Sequence, residues 1–212
     1  MCVDPRAPQR DAIEEAAARI LRGGVVALPT DTLYGLAVDP SCEDAVARLF
    51  AAKGREPGRA VPLIAADASQ VAAHLGPLSA AAARLAERFW PGPLTLLVPA
   101  PSSLASGVTG GTGRVGVRVP ADVIARGVCR AAGRPITATS ANRSGQPATA
   151  DPDEVERTLG EGIDLLLDAG PAPGGAASTI VDVTASTLRL VRAGAISWDD
   201  IQTWLDAQPV LA

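Results

Sequence analysis

The sequence predicts an α/β fold in which helices alternate with short strands. Segments whose apolar residues recur at helical spacing are separated by short apolar runs, and glycine or proline closes most of them. Helices that alternate with buried strands are typical of α/β proteins. Several connections are short, so the pattern also allows a sheet with mixed strand directions.

Six segments carry the helical spacing. Residues 9–22 show it first, and Gly23 and Gly24 supply a C-terminal stop. Ser41, followed three residues later by Asp44, resembles a capping box and predicts the start of the second helix. The predicted helices cover residues 9–22, 42–52, 67–75, 79–89, 121–132 and 198–207.

Apolar runs of strand length predict the sheet. Residues 25–28 and 62–66 are short and apolar, as buried strands are, and residues 94–99 follow the turn WPGP. The predicted strands cover residues 25–28, 62–66, 94–99, 115–119, 165–168 and 179–183.

Residues 102–113 are rich in glycine, serine and threonine and predict a flexible loop over one face of the fold. Gly111, Gly113 and Gly116 match the spacing GxGxxG, but a dinucleotide-binding motif needs a helix after its glycines. Here the glycines lead into VGVRVP, which predicts a strand. We therefore reject a Rossmann site.

The composition indicates one globular domain over residues 1–212. Hydrophobic residues make up 47% of the chain and charged residues 20%, and nothing marks a linker. No segment reaches the roughly 18 uninterrupted apolar residues of a membrane span, and the N-terminus lacks the apolar run of a signal peptide. We therefore expect a cytoplasmic protein. Three cysteines without CxxC spacing and a single histidine, His74, argue against a zinc site and a histidine-dependent nucleophile.

The stretch 135–149, PITATSANRSGQPAT, is a candidate ligand loop. Thr139, Ser140, Asn142 and Arg143 place hydroxyl, amide and guanidinium groups in a turn directly after a short apolar run. Short donors of this kind suit an anion. The same composition occurs in ordinary surface turns, because asparagine and glycine favour turns for conformational reasons. From these residues alone both interpretations stay open.

Charge is unevenly distributed along the chain. The whole sequence carries 19 Lys and Arg against 23 Asp and Glu, a net charge of −4. Residues 102–150, in contrast, contain six arginines and Asp122 as their single acid. A basic block around a donor-rich loop favours a local pocket for a small polyphosphate or carboxylate over a general nucleic-acid surface.

Three other places could contribute to such a pocket. Thr32 and Tyr34 lie in a polar turn after the first predicted strand, which could bind a ligand or simply connect two strands. Lys53 ends a helix, where a cation is favourable whatever the function. Arg118 lies inside an apolar strand on the same face as Gly116, so it needs either a buried salt bridge or a bound anion.

Together these segments resemble the YrdC-like family of threonylcarbamoyl-AMP synthases. The resemblance spans nearly the whole chain and rests on seven strings in the family's order: LPTDTLYGLAVDP, AAKGREP followed by VPLI, FWPGPLTLLVP, VGVRVP, TSANRSGQPAT, STIVDVT and LVRAGAIS. It implies a twisted, open, mixed sheet with flanking helices and a deep concave site. It also implies that ATP, L-threonine and bicarbonate give L-threonylcarbamoyladenylate and pyrophosphate, the first step of threonylcarbamoyladenosine formation in tRNA.

The resemblance further implies the residues of the site. Carried over by position, threonine would contact Thr32, Tyr34, Arg118 and Ser178. ATP would be held by Lys53, Arg55, Thr139, Ser140, Asn142 and Arg192. Of these, Lys53, Arg55, Ser140 and Asn142 would be catalytic. Mg²⁺ would accompany ATP, without a metal site of the protein's own. A tRNA threonylcarbamoyl transferase complex would act downstream, and tRNA could be contacted weakly.

The chain departs from the family pattern at three places and resembles its short, single-domain form. It has Ala65 and Ala66 where the family often has a histidine, Arg114 where it has a threonine, and Ala148 where it has a serine. These departures concern single contacts to threonine or ATP. Two other functions remain alternatives: an RNA-binding module of the same fold, against which the net charge of −4 argues, and a carbamoyl-transfer module like that of hydrogenase-maturation proteins.

Overall fold

The computed structural model describes residues 1–54, 58–185 and 187–206, and it confirms the α/β class. Its helices are α1 (Arg10–Leu21), α2 (Glu43–Lys53), α3 (Ala68–Leu75), α4 (Ala80–Phe89), α5 (Ser106–Thr109), α6 (Val123–Ala132), α7 (Pro152–Leu159) and α8 (Trp198–Asp206), with a 3₁₀ turn over Gly160–Gly162. Its strands are β1 (Val26–Leu28), β2 (Gly35–Ala37), β3 (Leu63–Ile64), β4 (Leu94–Pro99), β5 (Arg114–Arg118), β6 (Ile136–Thr137), β7 (Thr139–Ser140), β8 (Leu165–Leu166), β9 (Thr179–Asp182) and β10 (Arg189–Arg192). Among the described residues, no helix is long and apolar enough to cross a bilayer.

The strands form two mixed sheets. The four-stranded sheet has the order β7-β2-β1-β8, and the six-stranded sheet has the order β10-β9-β4-β5-β3-β6. Parallel pairs are β1 with β8, β4 with β9, and β3 with β5, and the other neighbours are antiparallel. Only Ala138 separates β6 from β7, so the chain passes directly from one sheet to the other. The two sheets therefore meet at this residue.

The core lies on both sides of the strands and consists mainly of aliphatic side chains. One cluster joins α1 and α6, where Ile20 and Ile124 are fully buried, to strand residues such as Leu28 and Ile136. The larger cluster packs the remaining helices against the opposite faces and includes Leu96. Burial of this kind is the main favourable contribution to folding and holds the strands that carry the site.

Local sequence explains several helix boundaries. The side chains of Asp67, Ser79 and Asp122 each accept a hydrogen bond from a backbone N–H in the first turn of α3, α4 and α6. Gly54 ends α2 in the left-handed region, with φ of +58°, where glycine has no steric cost.

Two details of the sequence prediction are wrong. The helix α2 begins at Glu43, so Cys42 is its N-cap and Ser41 lies one residue too early to cap it. The Ser41 hydroxyl donates to the carboxylate of Asp39 at 2.6 Å and accepts from Nη1 of Arg134 at 3.1 Å. The segment 102–113 is not simply a loop, since it contains α5. Val108 of this helix is fully buried, and its carbonyl accepts the N–H of Val61 at 2.9 Å. This segment is thus packed against the chain that leads into β3.

Candidate active site

A cleft of about 330 Å³ opens where the two sheets meet. Strands of both sheets line it, together with Ala138 at the passage between them. Its lining residues with hydroxyl or guanidinium groups are Thr30, Thr32, Tyr34, Thr95, Arg118, Thr139, Ser140, Ser178 and Arg192. Two cations and a wall of short hydroxyls make this a site for an anionic, polar ligand.

Arg118 is a buried cation at one end of the cleft. It is 8% exposed, and its Nη2 donates to Oγ1 of Thr30 at 3.2 Å. Its Nη1 lies 3.1 Å from Oδ1 of Asp31, but the two groups are not aligned as a hydrogen bond. Nη1 therefore has no hydrogen-bond partner among the described residues, which is unusual for a buried donor. Of the two options in the sequence analysis, the structure shows the salt bridge, with Asp31 as its acid, and the bound anion stays a prediction.

The electrostatics of Arg118 follow from the same surroundings. Burial lowers the pKa of Arg118, Asp31 opposes that shift, and the positive charge of Arg192 adds to the lowering. Arginine stays protonated in proteins in spite of such shifts. A cation that is partly stripped of water and faces a second cation gains most from a bound anion.

Ser178 and Arg192 form another part of the cleft lining. The guanidinium of Arg192 donates to the carbonyl of Ser178 at 2.7 Å through Nη2, and the same nitrogen donates to Oγ of Ser178 at 3.1 Å. Oγ of Ser178 lies 2.8 Å from Oγ1 of Thr95 on β4. Gly116 leaves room for Thr95, since a Cβ at position 116 would come within 3.0 Å of its methyl group. The predicted space beside Arg118 is therefore occupied in part by Thr95.

The polar turn after β1 supplies Thr32 and Tyr34. Oγ1 of Thr32 lies 3.1 Å from Oγ1 of Thr30 and lines the cleft. The Tyr34 hydroxyl donates to the carbonyl of Gly170 at 2.8 Å and accepts the N–H of Ala169 at 3.1 Å. Burial raises the pKa of Tyr34 to about 12. Tyr34 lines the cleft, but its hydroxyl anchors the turn to the chain after β8.

Lys53 stabilises the candidate ligand loop through hydrogen bonds to its backbone. Nζ of Lys53, the only lysine of the sequence, donates to the carbonyl of Asn142 at 2.8 Å and to the carbonyl of Ser140. The Asn142 amide donates to the carbonyls of Arg143 and Gln146, and its Oδ1 accepts the Ser140 hydroxyl at 2.5 Å. Lys53 and Asn142 therefore stabilise the conformation of the loop, while Ser140 lines the cleft.

The structure brings most of the predicted site residues together. Thr32, Tyr34, Arg118, Thr139, Ser140, Ser178 and Arg192 line one cleft. Lys53 and Asn142 lie directly behind that lining, and Arg55 lies outside the described residues. The roles assigned to all of these residues in binding and catalysis stay predictions.

The basic block of residues 102–150 does not gather at the cleft as the sequence suggested. Of its six arginines, Arg118 lines the cleft among the described residues. Arg114 pairs with Asp182 at 2.5 Å, and Arg134 pairs with Asp39 at 3.0 Å. The six arginines are spread over β5, α6 and the turns that follow, so closeness in sequence does not bring them all to the cleft.

The sequence analysis missed two residues of the site. Thr95 was read only as part of an apolar strand, although a hydroxyl in the run LTLLVP needs a polar partner when buried. Asp31 lies in the same polar turn as Thr32 and Tyr34, and the sequence analysis assigned it no role. It could have been found from the prediction that Arg118 needs a buried acid or a bound anion beside it.

Comparison with known proteins supports the resemblance seen in the motifs. A family model described as telomere recombination, Sua5_yciO_yrdC, matches residues 18–194. The threonylcarbamoyl-AMP synthase of Alkalilimnicola ehrlichii is 43% identical over 164 residues, which are 77% of this chain and 85% of that protein.

Solved structures agree with the sequence matches. Pyrococcus abyssi Sua5 complexed with L-threonine superposes with a TM-score of 0.90 at 34% identity, over 96% of this chain but 60% of that chain. E. coli YciO superposes with a TM-score of 0.82 at 26% identity, over 92% of this chain and 95% of that one. The fold implied by the motifs is confirmed, and this chain belongs to the Sua5/YciO/YrdC family.

Proposed function

We propose that this protein is an L-threonylcarbamoyladenylate synthase. It would convert ATP, L-threonine and bicarbonate into L-threonylcarbamoyladenylate, pyrophosphate and water, as the first step of threonylcarbamoyladenosine formation in tRNA. The observation that carries the proposal is the pair of cations, Arg118 and Arg192, at one hydroxyl-lined cleft. The names of the related synthases and the threonine complex of a related Sua5 support the substrate.

The reaction needs two anions to meet in one site. The amine of threonine combines with the carbon of bicarbonate and loses water, which gives a carbamate without a protein nucleophile. A carbamate oxygen then forms a bond to the α-phosphorus of ATP, and the bond from that phosphorus to the bridging oxygen of pyrophosphate breaks. Catalysis therefore consists of positioning and of charge stabilisation, which guanidinium groups and short hydroxyls supply.

Each wall of the cleft has a place in this scheme. The free donor of Arg118 would hold the threonine carboxylate, because a guanidinium matches a carboxylate with two parallel donors. Arg192 and the hydroxyl of Thr139 would contact the phosphates, and the Ser140 hydroxyl would join them by turning its proton from Oδ1 of Asn142 to a phosphate oxygen. Lys53 would hold residues 139–142 of the candidate ligand loop in position for this contact.

Mg²⁺ is proposed as the metal of the reaction, carried by ATP. The described lining residues offer hydroxyl and guanidinium groups and no carboxylate, which fits a metal held mainly by phosphate oxygens. Among the described residues, no group of three or more His, Cys, Asp or Glu could hold an ion by itself. When bound, Mg²⁺ would neutralise charge on the phosphates and on the departing pyrophosphate.

The alternatives receive less support. The names of the relatives favour the synthase over a carbamoyl-transfer module. Arg114 and Arg134 are each paired with an aspartate, which lowers the net positive charge that the basic block offers to RNA. A downstream tRNA threonylcarbamoyl transferase complex, a weak tRNA contact and a cytoplasmic location belong to the proposal.

An omission experiment tests the proposal. Pyrophosphate and ADP are measured with ATP and Mg²⁺, and threonine or bicarbonate is left out in turn. We expect pyrophosphate only when both are present, because the attacking group is the carbamate and not water. Release of ADP and phosphate as the main products would refute the proposed function.

A further inference from the structure

Two hydroxyls of the cleft share one hydrogen bond and leave one proton unused. Oγ of Ser178 accepts a hydrogen bond from Nη2 of Arg192 and lies 2.8 Å from Oγ1 of Thr95. Each hydroxyl carries a single proton, and the bond between them uses one of the two. Whichever hydroxyl donates, the other O–H has no partner among the described residues. The pair therefore presents one free donor and at least one free lone pair.

This pair faces the cleft and not the core. Thr95 is 2% exposed and Ser178 is 9% exposed, yet both line the cavity. A hydroxyl placed in an apolar strand costs free energy unless it finds a partner, and valine would fill nearly the same volume. The methyl group of Thr95 lies over Gly116, where a Cβ would approach to 3.0 Å. The absence of a Cβ at Gly116 leaves room for this methyl group, so the Thr95 hydroxyl can point toward Ser178, 2.8 Å away.

The pair also lies at the right distance from Arg118. β4 and β5 are antiparallel and pair Leu96 with Val117. One step further in the same register, Thr95 lies opposite Arg118, and such cross-strand Cβ atoms are about 5 Å apart. In threonine the carbon that carries the hydroxyl is two bonds from the carboxylate carbon. A threonine held by Arg118 through its carboxylate can therefore reach Thr95 with a group attached to its Cα, and we assign that place to its side chain.

We propose that Thr95, paired with Ser178, selects the amino-acid substrate by its side-chain hydroxyl. The inference rests on the proposed function, in which Arg118 holds the carboxylate. A substrate hydroxyl can accept the free proton of the pair and donate its own proton to a free lone pair. Valine has the shape of threonine but places a methyl group there, which leaves the donor unpaired. A site that hydrogen-bonds a substrate hydroxyl discriminates strongly against the analogue that lacks it.

The test compares kcat/KM for L-threonine and L-valine, read as pyrophosphate release with ATP, Mg²⁺ and bicarbonate. We expect Thr95→Val to lower the preference for threonine about tenfold or more, because one hydrogen bond to the substrate is lost. Thr95→Ser keeps the hydroxyl and should keep the preference. Thr137→Val is the matched control: Thr137 is fully buried in the same sheet, accepts the N–H of Val38 at 2.9 Å and does not line the cleft.

The preference is a ratio measured on one preparation, so a fall in the folded fraction does not change it. Equal losses for threonine and valine in Thr95→Val, or a wild type that does not prefer threonine, would overturn the inference and leave the synthase function intact. A wild type that releases no pyrophosphate with threonine would refute the synthase function itself. If Thr95→Val does not fold, Thr95→Ala carries the same comparison with the same two outcomes.

Discussion

Replacing Arg118 by lysine tests whether its guanidinium holds the threonine carboxylate. In the structure Nη2 donates to Thr30, and Nη1 lies 3.1 Å from Asp31 without an aligned hydrogen bond. A lysine ammonium can remain beside Asp31, but it lacks the planar fork that grips a carboxylate at the same time. Loss of one of two charge-assisted bonds costs about 1.5 to 3 kcal/mol, or roughly 10- to 150-fold in kcat/KM for threonine.

Thermal melts with and without threonine separate this role from a purely structural one. We expect Arg118→Lys to melt near the wild-type temperature, because the buried Asp31 keeps a cation beside it, and to show a smaller threonine-dependent shift. Arg118→Met, by contrast, would leave Asp31 unpaired and cost about 3 to 5 kcal/mol of stability.

Arg114→Lys is the matched control for this experiment. Arg114 lies on the same face of β5, pairs with Asp182 and is not among the residues that line the cleft. The threonine-dependent shift in the melting temperature of Arg114→Lys should equal that of the wild type. An Arg118→Lys protein that melts far lower yet keeps the full threonine shift would contradict the binding role.

Three further predictions concern the surroundings of the cleft. Gly194→Ala should lower both activity and melting temperature, because a Cβ there would overlap the carbonyl oxygen of Ala177; a normal melt with normal activity would show that this wall can move. Lys53→Met should raise KM for ATP and speed hydrogen exchange in residues 139–142, because the Lys53 ammonium donates to the Asn142 carbonyl. Loss of such a charged hydrogen bond costs about 1.5 to 3 kcal/mol. Unchanged hydrogen exchange would show that Lys53 does not stabilise this loop. Burial acts to raise the pKa of Asp182, but hydrogen bonds and two arginines lower it below the usual 3.8. Its carboxylate therefore stabilises the fold above the unfolded-state pKa, and this contribution is lost as pH falls through the folded-state pKa. Melts of Asp182→Asn should accordingly lose less stability than wild type in that acidic window, and parallel curves would refute the assignment.

The alternation of helices and strands could be predicted because apolar periodicity reports burial directly. The run 94–99 is a strand both in the prediction and in the structure, and the helix over residues 79–89 begins one residue later, at Ala80. β2, over Gly35–Ala37, was not predicted, since three residues beside a polar turn are too short to show a period. The predicted capping box at Ser41 is wrong because Cys42 is the N-cap, and the oxygen of Ser41 accepts from Arg134 instead.

The site could be predicted in composition but not in contacts. The donor-rich strings pointed to Ser140 and Arg118, and both line the cleft. Lys53 donates to backbone carbonyls because α2 packs beside residues 139–142. Local sequence patterns do not predict such packing between distant segments. Thr95 was hidden because its strand reads as apolar, and its importance depends on the register that sets it beside Ser178 and Arg118.

In the proposed reaction, a carbon from bicarbonate links threonine to the α-phosphate of ATP in this cleft. The most direct measurement uses isotope-labelled bicarbonate with ATP, Mg²⁺ and threonine, and follows the products by mass spectrometry. We predict a threonylcarbamoyl adenylate that is heavier by the mass of the label, formed together with pyrophosphate and strongly reduced in Arg118→Lys. An adenylate of threonine without the labelled carbon, or ADP and phosphate as the only products, would contradict the account.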